Sequence, residues 1–311
     1  MNFNNALCFK SATLIRGVSV FMKVLTLFSG GKDSQAALIW AANEYGVENV
    51  EALTLDTVWE NPVTYQHIID VCKQLGVILH VAKTKKYGGF LDLAKKKGRF
   101  PSMTARFCTE ELKQIPAIDF MLSHSENIIV IEGIRANESI KRSYLNQFCT
   151  FFKYYFEPYK TNAKGKKMYM TYRKKDVIKW CATYNADKIR PVFDWTAEEV
   201  IKYIRENGQE PNPLYFQGFK RVGCFPCVHE SHRGLKLIID NHPEQWQKVK
   251  DAEAFVGSGF FKPDYVPKRF RENKIYSTTT DIEKYLNEKN ATSDLFETDT
   301  PSCMSAYNLC E

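Results

Sequence analysis

Hydrophobic and polar positions alternate in two rhythms along this chain. Lys23 to Phe28 (KVLTLF) is a short apolar run rich in strand formers, the mark of a buried strand. Residues 33–45 carry small and apolar positions suited to a helix lying on a sheet, and Gly46 stops them. Val50 to Thr57 predicts a second strand. Thr64 to Leu75 places Ile68, Ile69, Val71, Cys72 and Leu75 at helical spacing and ends at Gly76; Val77 to Ala82 predicts a third strand. Residues 83–105 are basic and irregular, with Gly88, Gly89 and Gly98, and predict a loop plus a short helix. Cys108 to Ser123 predicts a helix kinked at Pro116. Asn127 to Glu132 predicts a fourth strand and Ile189 to Phe193 a fifth. Thr196, with Glu199 three residues on, is a capping box for a helix through Asn207. Leu235 to Val256 returns to helical spacing. After Ser277 the pattern becomes polar and irregular, as in a mobile tail.

Strands alternating with helices predict an α/β fold: a doubly wound, mostly parallel five-stranded sheet, with right-handed crossovers covering both faces. A smaller helical, cysteine-bearing C-terminal region follows. The expected organisation is an N-terminal extension (1–21), a nucleotide-binding domain (22–195) with a basic aromatic insertion at about 147–180, a C-terminal subdomain (196–276) and a tail (277–311).

Composition narrows the class. The 311 residues are 44% hydrophobic and 25% charged, an ordinary globular balance. No apolar run approaches the ~20 residues of a membrane helix. Lys10, Arg16 and Lys23 break the N-terminal apolar stretches, so no secretion signal is read and a cytoplasmic location is expected. The nine cysteines are then packing, metal or redox groups rather than a disulfide framework. The net charge of +7 has one source: between Lys153 and Lys179 stand nine Lys/Arg against Glu157 and Asp176. Aromatic residues crowd the same segment, a pattern that suits nucleic acid through 148–179, or a solvated insertion with an aromatic underside.

The candidate chemistry begins at Ser29-Gly30-Gly31-Lys32-Asp33-Ser34, between the first strand and its helix. Such a turn aims backbone N–H groups and a positive helix end at one point, which suits phosphate. It is not the common Gly-x4-Gly-Lys-Ser/Thr loop, because Thr26 stands five residues before Gly31 and Asp33 follows the lysine. Lys32 offers charge to a phosphate oxygen, Asp33 a ligand for Mg²⁺, and Ser29 and Ser34 hydroxyls. Asp56 ends the second strand as a candidate for Mg²⁺ or the leaving phosphates, or as a turn aspartate. Gly133 ends the fourth and allows close backbone approach. Arg135 and Arg142 suit planar contact with phosphate or sulfate, or pairing with nearby carboxylates. Cys224-Phe-Pro-Cys227 has the spacing to clamp zinc or two corners of an iron–sulfur cluster, with Cys108 as third ligand and His229, His232 or Cys149 as candidates for the fourth; a redox dithiol is the competing reading.

Several of these motifs occur together in one family. The chain resembles the phosphoadenosine phosphosulfate (PAPS) reductase family of the PP-loop superfamily, whose fold is HUP-like. Ser29 to Ser34 is similar to its nucleotide loop. Asp56-Thr57, with Pro62 and Thr64-Tyr65, is similar to its second motif, and Arg106-Phe107-Cys108 through Lys113 to its cysteine helix. Glu132-Gly133-Ile134-Arg135 with Glu138, Ser139 and Arg142 resembles its Gly-x-Arg motif. Asp194-Trp195-Thr196, Asn212 to Tyr215 and Arg221 to Cys227 resemble its C-terminal signature. The resemblance implies an enzyme that binds an adenine nucleotide, with a sulfur donor or thioredoxin as partner. Phe107 stands where cluster-bearing members carry the first of two adjacent cysteines. The Ser302-Cys303-Met304 and Cys310-Glu311 tail does not match the reductases' catalytic tail, and Lys32 is present where reductases often lack it. The last two departures favour ATP, cleaved to AMP and pyrophosphate to activate an acceptor for sulfur transfer or nucleic-acid modification. The alternatives are a PAPS or adenosine phosphosulfate reductase with Cys303 or Cys310 as nucleophile, and a nucleic-acid-binding protein without turnover.

Met22 immediately precedes the first strand, so residues 1–21 are expected to be dispensable. A chain starting at Met22 should keep the circular-dichroism spectrum and melting temperature of the full chain; loss of fold refutes this.

Overall fold

In the computed structural model, residues 22–272 and 275–289 are described. The extension 1–21, Cys303 and Cys310 lie outside them. β1 (Met22–Leu27) leads into α1 (Lys32–Tyr45), β2 (Val50–Leu55) into α2 (Pro62–Leu75), and β3 (Ile78–Ala82) into α3 (Phe90–Lys97). A short helical start and a π turn (Glu110–Gln114) precede α4 (Ile115–Leu122), which crosses to β4 (Asn127–Glu132). The end signals lie in the sequence. Asn61 caps α2 by accepting the Val63 N–H at 2.8 Å, Pro62 opens the first turn, and Gly76 closes it at φ 75°.

The central sheet has six strands in the order β3-β2-β1-β4-β8-β5. The expected five are corrected to six by β5 (Phe148–Thr150), a three-residue edge strand inside the basic segment that pairs antiparallel with β8 (Ala186–Ile189). Three residues are too few to show a period of two. The rest of that segment is a hairpin, β6 (Lys160–Thr161) with β7 (Lys167–Met168), followed by α5 (Lys174–Cys181). β8 also begins earlier than the predicted Ile189 to Phe193. It pairs with β4 from Ala186 to Ile189, and Pro191, with no N–H to donate, follows its end.

The central strands β1, β2 and β4 bury alternate residues on opposite faces. Leu25, Leu27, Leu53, Leu55, Ile128 and Val130 pack beneath α4 and α5; Val24, Ala52, Ile129 and Ile131 pack beneath α1 and α2. Fully burying such a side chain contributes about 1.5–3 kcal/mol. The capping box of α6 (Ala197–Glu206) forms as predicted, the Glu199 N–H donating to Thr196 Oγ1 at 3.1 Å.

The C-terminal region shares a core with the first half of the chain. Trp59, Phe90, Phe100 and Leu112 pack with Leu214, Phe225, Trp246 and Phe260 in one cluster. The expected helix 235–256 is two helices, α7 (His232–Asn241) and α8 (Pro243–Val256), broken at His242 before Pro243. Residues 279–289, read as irregular tail, form α9 (Thr279–Lys289), whose Ile282 and Leu286 enter that cluster. Among the described residues no helix is long and apolar enough to cross a membrane.

One contact fixes the geometry at the carboxyl ends of the strands. A Cβ at Gly133 would lie 2.4 Å from Asp33 O and from Ser34 N and Cα, all backbone atoms. Gly133→Ala should therefore cost about 1–3 kcal/mol by overpacking, read as a lower midpoint in urea unfolding. An unchanged midpoint refutes the close approach.

Candidate nucleotide site and thiol cluster

The loop between β1 and α1 is built for close approach. Gly30 sits at φ 75°, and a Cβ there would meet Thr64 Cγ2 at 2.7 Å. Gly31 is the N-cap of α1 and supplies no side-chain cap, so the helix start keeps backbone N–H groups for an anion. The Ser34 hydroxyl donates to Gly31 O at 2.9 Å and accepts the Ser29 N–H at 3.3 Å, folding the loop on itself.

Three charged groups meet at the helix start. Arg135 Nε donates to Asp33 Oδ1 at 2.6 Å, and Lys32 Nζ lies 3.0 Å from Asp33 Oδ2. Arg135 and Asp33 are both buried. Asp33, expected to hold Mg²⁺, is the counter-ion of two cations. Burial pulls the Lys32 pKa below the ordinary lysine value; Asp33 opposes this, while Arg135 and Arg142 reinforce it. Arg142 is buried and paired with Glu138. Gly133 serves packing against the loop rather than an open approach to ligand.

Sequence reasoning found Asn212 to Tyr215 only as part of a family signature. The structure gives those residues a task. Asn212 Nδ2 donates to Gly30 O at 3.2 Å, and the Tyr215 hydroxyl accepts the Lys32 N–H at 3.2 Å. The Tyr215 ring also faces Lys32 Nζ, 5.7 Å from its centroid. The C-terminal region thus grips the phosphate loop directly. A buried ion cluster was also not foreseen: Arg190 Nη2 and Lys188 Nζ lie 2.7 and 3.7 Å from the two oxygens of Glu132, at the end of β4.

Asp56 takes up the turn geometry. Its Oδ1 accepts from the Val58 N–H at 2.7 Å and Tyr65 OH at 2.6 Å, and Lys83 Nζ lies 2.7 Å from Oδ2. Burial opposes its charge, but those three donors outweigh it and hold the carboxyl below its ordinary pKa. Tyr65 bridges on to Glu60 Oε2 at 2.7 Å, and Glu60 pairs by backbone with Cys224.

The cysteine turn docks there. The Phe225 N–H donates to Trp59 O, and the Trp59 indole N–H donates to Pro226 O. At Lys113 burial opposes the charge, but the nearby negative field of Cys224, Glu60, Cys108 and Cys227 raises its pKa overall. Burial pushes the Cys224 thiol up to about 11, against the pull of Lys113. Among the described residues no group of three Cys, His, Asp or Glu is found that could hold a metal ion. The candidates for the fourth ligand have partners of their own or are held neutral by burial. Cys149 is on the edge strand β5, 3.8 Å from Arg190 Nη1. His232 Nε2 is 2.8 Å from Tyr265 O. Burial holds His229 near a pKa of 4, with Arg106, Arg221 and Lys262 adding to the effect.

One family model and several known proteins match this chain. An uncharacterized 37.8 kDa protein of Escherichia phage 186 is 33% identical over 207 residues, 63% of this chain and 53% of that protein. An adenosine 5'-phosphosulfate reductase of Salinibacter ruber is 40% identical over 53 residues, 17% of this chain and 21% of that protein. The matched part spans about half the length of the phage protein and of an uncharacterized Methanocaldococcus jannaschii protein. A crystal structure of PAPS reductase from Candida auris superposes with a TM-score of 0.44 at 19% identity, covering 72% of this chain and 96% of that one. Residues 23–230 match the model of the phosphoadenosine phosphosulfate reductase domain. That match covers the phosphate loop, the Gly133 to Arg142 segment and the cysteine turn, and the chain belongs to the PAPS reductase family.

Proposed function

We propose that this chain binds ATP at Ser29 to Ser34 and cleaves it between the α and β phosphates, activating an acceptor for sulfur transfer or nucleic-acid modification. The observation that carries this reading is the helix start of α1 with Lys32 and Arg135 fixed beside it by Asp33. An acceptor oxygen attacks the α phosphorus and the bond to the β-bridging oxygen breaks. The acceptor is adenylated and pyrophosphate leaves with the electron pair. Backbone N–H groups and Lys32 stabilise the charge gathering on that leaving group. Mg²⁺ bound with ATP would add further neutralisation. Asp33 and Asp56 are both engaged by cations. The thiols of Cys108, Cys224 and Cys227 are the groups suited to sulfur handling, and they are the ones that would hold zinc or an iron–sulfur cluster.

A second reading draws on the same cluster. Three thiols beside a lysine suit a sulfonucleotide reductase that takes PAPS or adenosine phosphosulfate, with electrons from a thioredoxin. Its candidate nucleophiles, Cys303 and Cys310, lie outside the described residues. Sulfite release from either sulfonucleotide, lost in a Cys303→Ser, Cys310→Ser double variant, would establish it over ATP cleavage.

Pyrophosphate release from ATP should fall roughly 100-fold or more in Lys32→Ala, as when one transition-state donor is removed. Absence of ATP binding by calorimetry in the wild type refutes the reading. ATP affinity should also fade as pH rises, because only charged Lys32 pairs with phosphate and burial makes it lose its proton at lower pH than an ordinary lysine. Lys32→Arg should shift that alkaline limb upward, and an unmoved limb assigns it to another group. At the cysteines, Lys113→Met removes the cation that favours the Cys224 thiolate. Alkylation of Cys224 by iodoacetamide at pH 8, read by mass spectrometry, should slow about tenfold for each unit its pKa rises. An unchanged rate shows that Lys113 does not govern that thiol.

A further inference from the structure

The central sheet ends in two edges of different character. β5 is three residues long. β3 has five, Ile78 to Ala82, with no proline, lysine or carboxylate among them, and Ile78 and Val81 are 60% and 55% exposed. Soluble proteins guard an open edge with such residues, because its free N–H and C=O groups pair with any strand that fits. Which groups are free follows from the pairing with β2. The Asp56 N–H donates to Ala82 O at 3.0 Å. Backbone groups of successive strand residues point to alternate sides. Ala82, His80 and Ile78 therefore face β2, while Leu79 and Val81 present both N–H and C=O at the open edge.

This edge is complementary to itself in one direction only. At its start Val47 borders Gly76, 3.6 Å from where a Cβ would stand, and exposed Glu48 follows Val47. At its far end stand exposed Lys83, Lys85 and Lys86. Lys83 pairs with Asp56 and Lys86 with Glu111; among the described residues neither Glu48 nor Lys85 has an ion pair. A second such edge laid parallel would set acid beside acid and lysine beside lysine. Laid antiparallel, it sets Glu48 of each copy near Lys85 of the other. The side chains agree with that direction. Leu79 and Val81 share the face of α2, where Leu79 packs on the core. Ile78, His80 and Ala82 share the face of α4, where the His80 ring lies 5.2 Å from that of Phe120.

We propose that β3 pairs antiparallel with β3 of a second copy of this chain, about a two-fold axis through His80, joining two six-stranded sheets into one. In this register Leu79 of each copy exchanges N–H···O bonds with Val81 of the other, and His80 faces His80 at the non-bonded position on the axis. Each His80 stands 2.7 Å from Glu51 of its own chain, so the axis opposes no unmatched charge. Ile78 lies opposite Ala82, a large side chain against a small one. Antiparallel strands carry their carboxyl ends in opposite directions, so the two phosphate loops lie at opposite ends of the joined sheet. The pairing does not depend on the reaction proposed above.

Sedimentation of the full chain without nucleotide should show a concentration-dependent dimer. Val81→Lys sets a cation in the pairing row and Val81→Pro removes an edge N–H; each should weaken the dimer roughly tenfold or more. Proline is tolerated on an edge strand with its missing N–H outward, and an unchanged circular-dichroism spectrum shows that each variant is folded. Glu48→Lys should weaken the dimer, and Glu48→Lys with Lys85→Glu should restore it. Under mild oxidation His80→Cys should cross-link two copies on a non-reducing gel beyond the wild-type background. Val81→Cys should not, because Val81 faces Leu79. A monomeric wild type overturns the proposal, whether the amides of Leu79 and Val81 exchange freely with deuterium or are protected by another part of the chain. A dimer that persists in both the Val81→Lys and Val81→Pro variants overturns it too, as does cross-linking by Val81→Cys in place of His80→Cys.

Discussion

The structure depends on the close approach of one backbone to another, where Gly133 meets Asp33 and Ser34. It follows from sheet register. β1 and β4 pair in parallel along their full lengths, Met22 opposite Asn127 and Leu27 opposite Glu132, so both chains leave the sheet at the same level. The loop after β1 then turns across the end of β4, and Arg135 reaches Asp33 from the neighbouring strand end. Slipping β4 by one residue would turn Glu132 away from Lys188 and Arg190 and carry Gly133 off the loop. A loop whose composition says only "phosphate" thus gains its cations from a strand distant in sequence.

Much of this frame was legible. The apolar runs and glycine stops located β1 to β4 and the helices after the first two strands within a few residues, because local periodicity and capping act over a few neighbours. What was not legible depends on contacts far apart in the chain. β5 is too short to carry a pattern and exists because β8 offers it an edge. α9 looks polar because its apolar face is narrow, and Ile282 and Leu286 find their place only in a core assembled by other helices. At the site, residue types placed Ser29 to Ser34, Asp56 and Arg135 just past strand ends, where β1, β2 and β4 put them. Their roles were harder to read. Residue types alone do not show that Asp33 and Asp56 have cations against them, Lys32 and Arg135 at one and Lys83 at the other. Nor do they show that a buried lysine, Lys113, feels the charge of the three cysteines.

Positive charge is handled in two ways. Near the sheet it is buried and matched, Lys188 and Arg190 against Glu132, and Arg142 against Glu138. Breaking such a pair strands a charge in a poor solvent, so these residues lock the strand ends in place. In the hairpin the lysines are exposed and mostly unmatched by carboxylates, which leaves their field to act on solution. The two populations follow opposite rules.

The grip of Asn212 and Tyr215 on the phosphate loop has a thermodynamic meaning. Those residues lead by a short stretch into the cysteine turn, and Thr64, which accepts from Asn212, donates to Val222 O two residues before Cys224. One run of hydrogen bonds therefore joins the phosphate loop to the cysteine turn, and any coupling along it would be reciprocal, the loop acting on the thiols with the same free energy as the thiols on the loop.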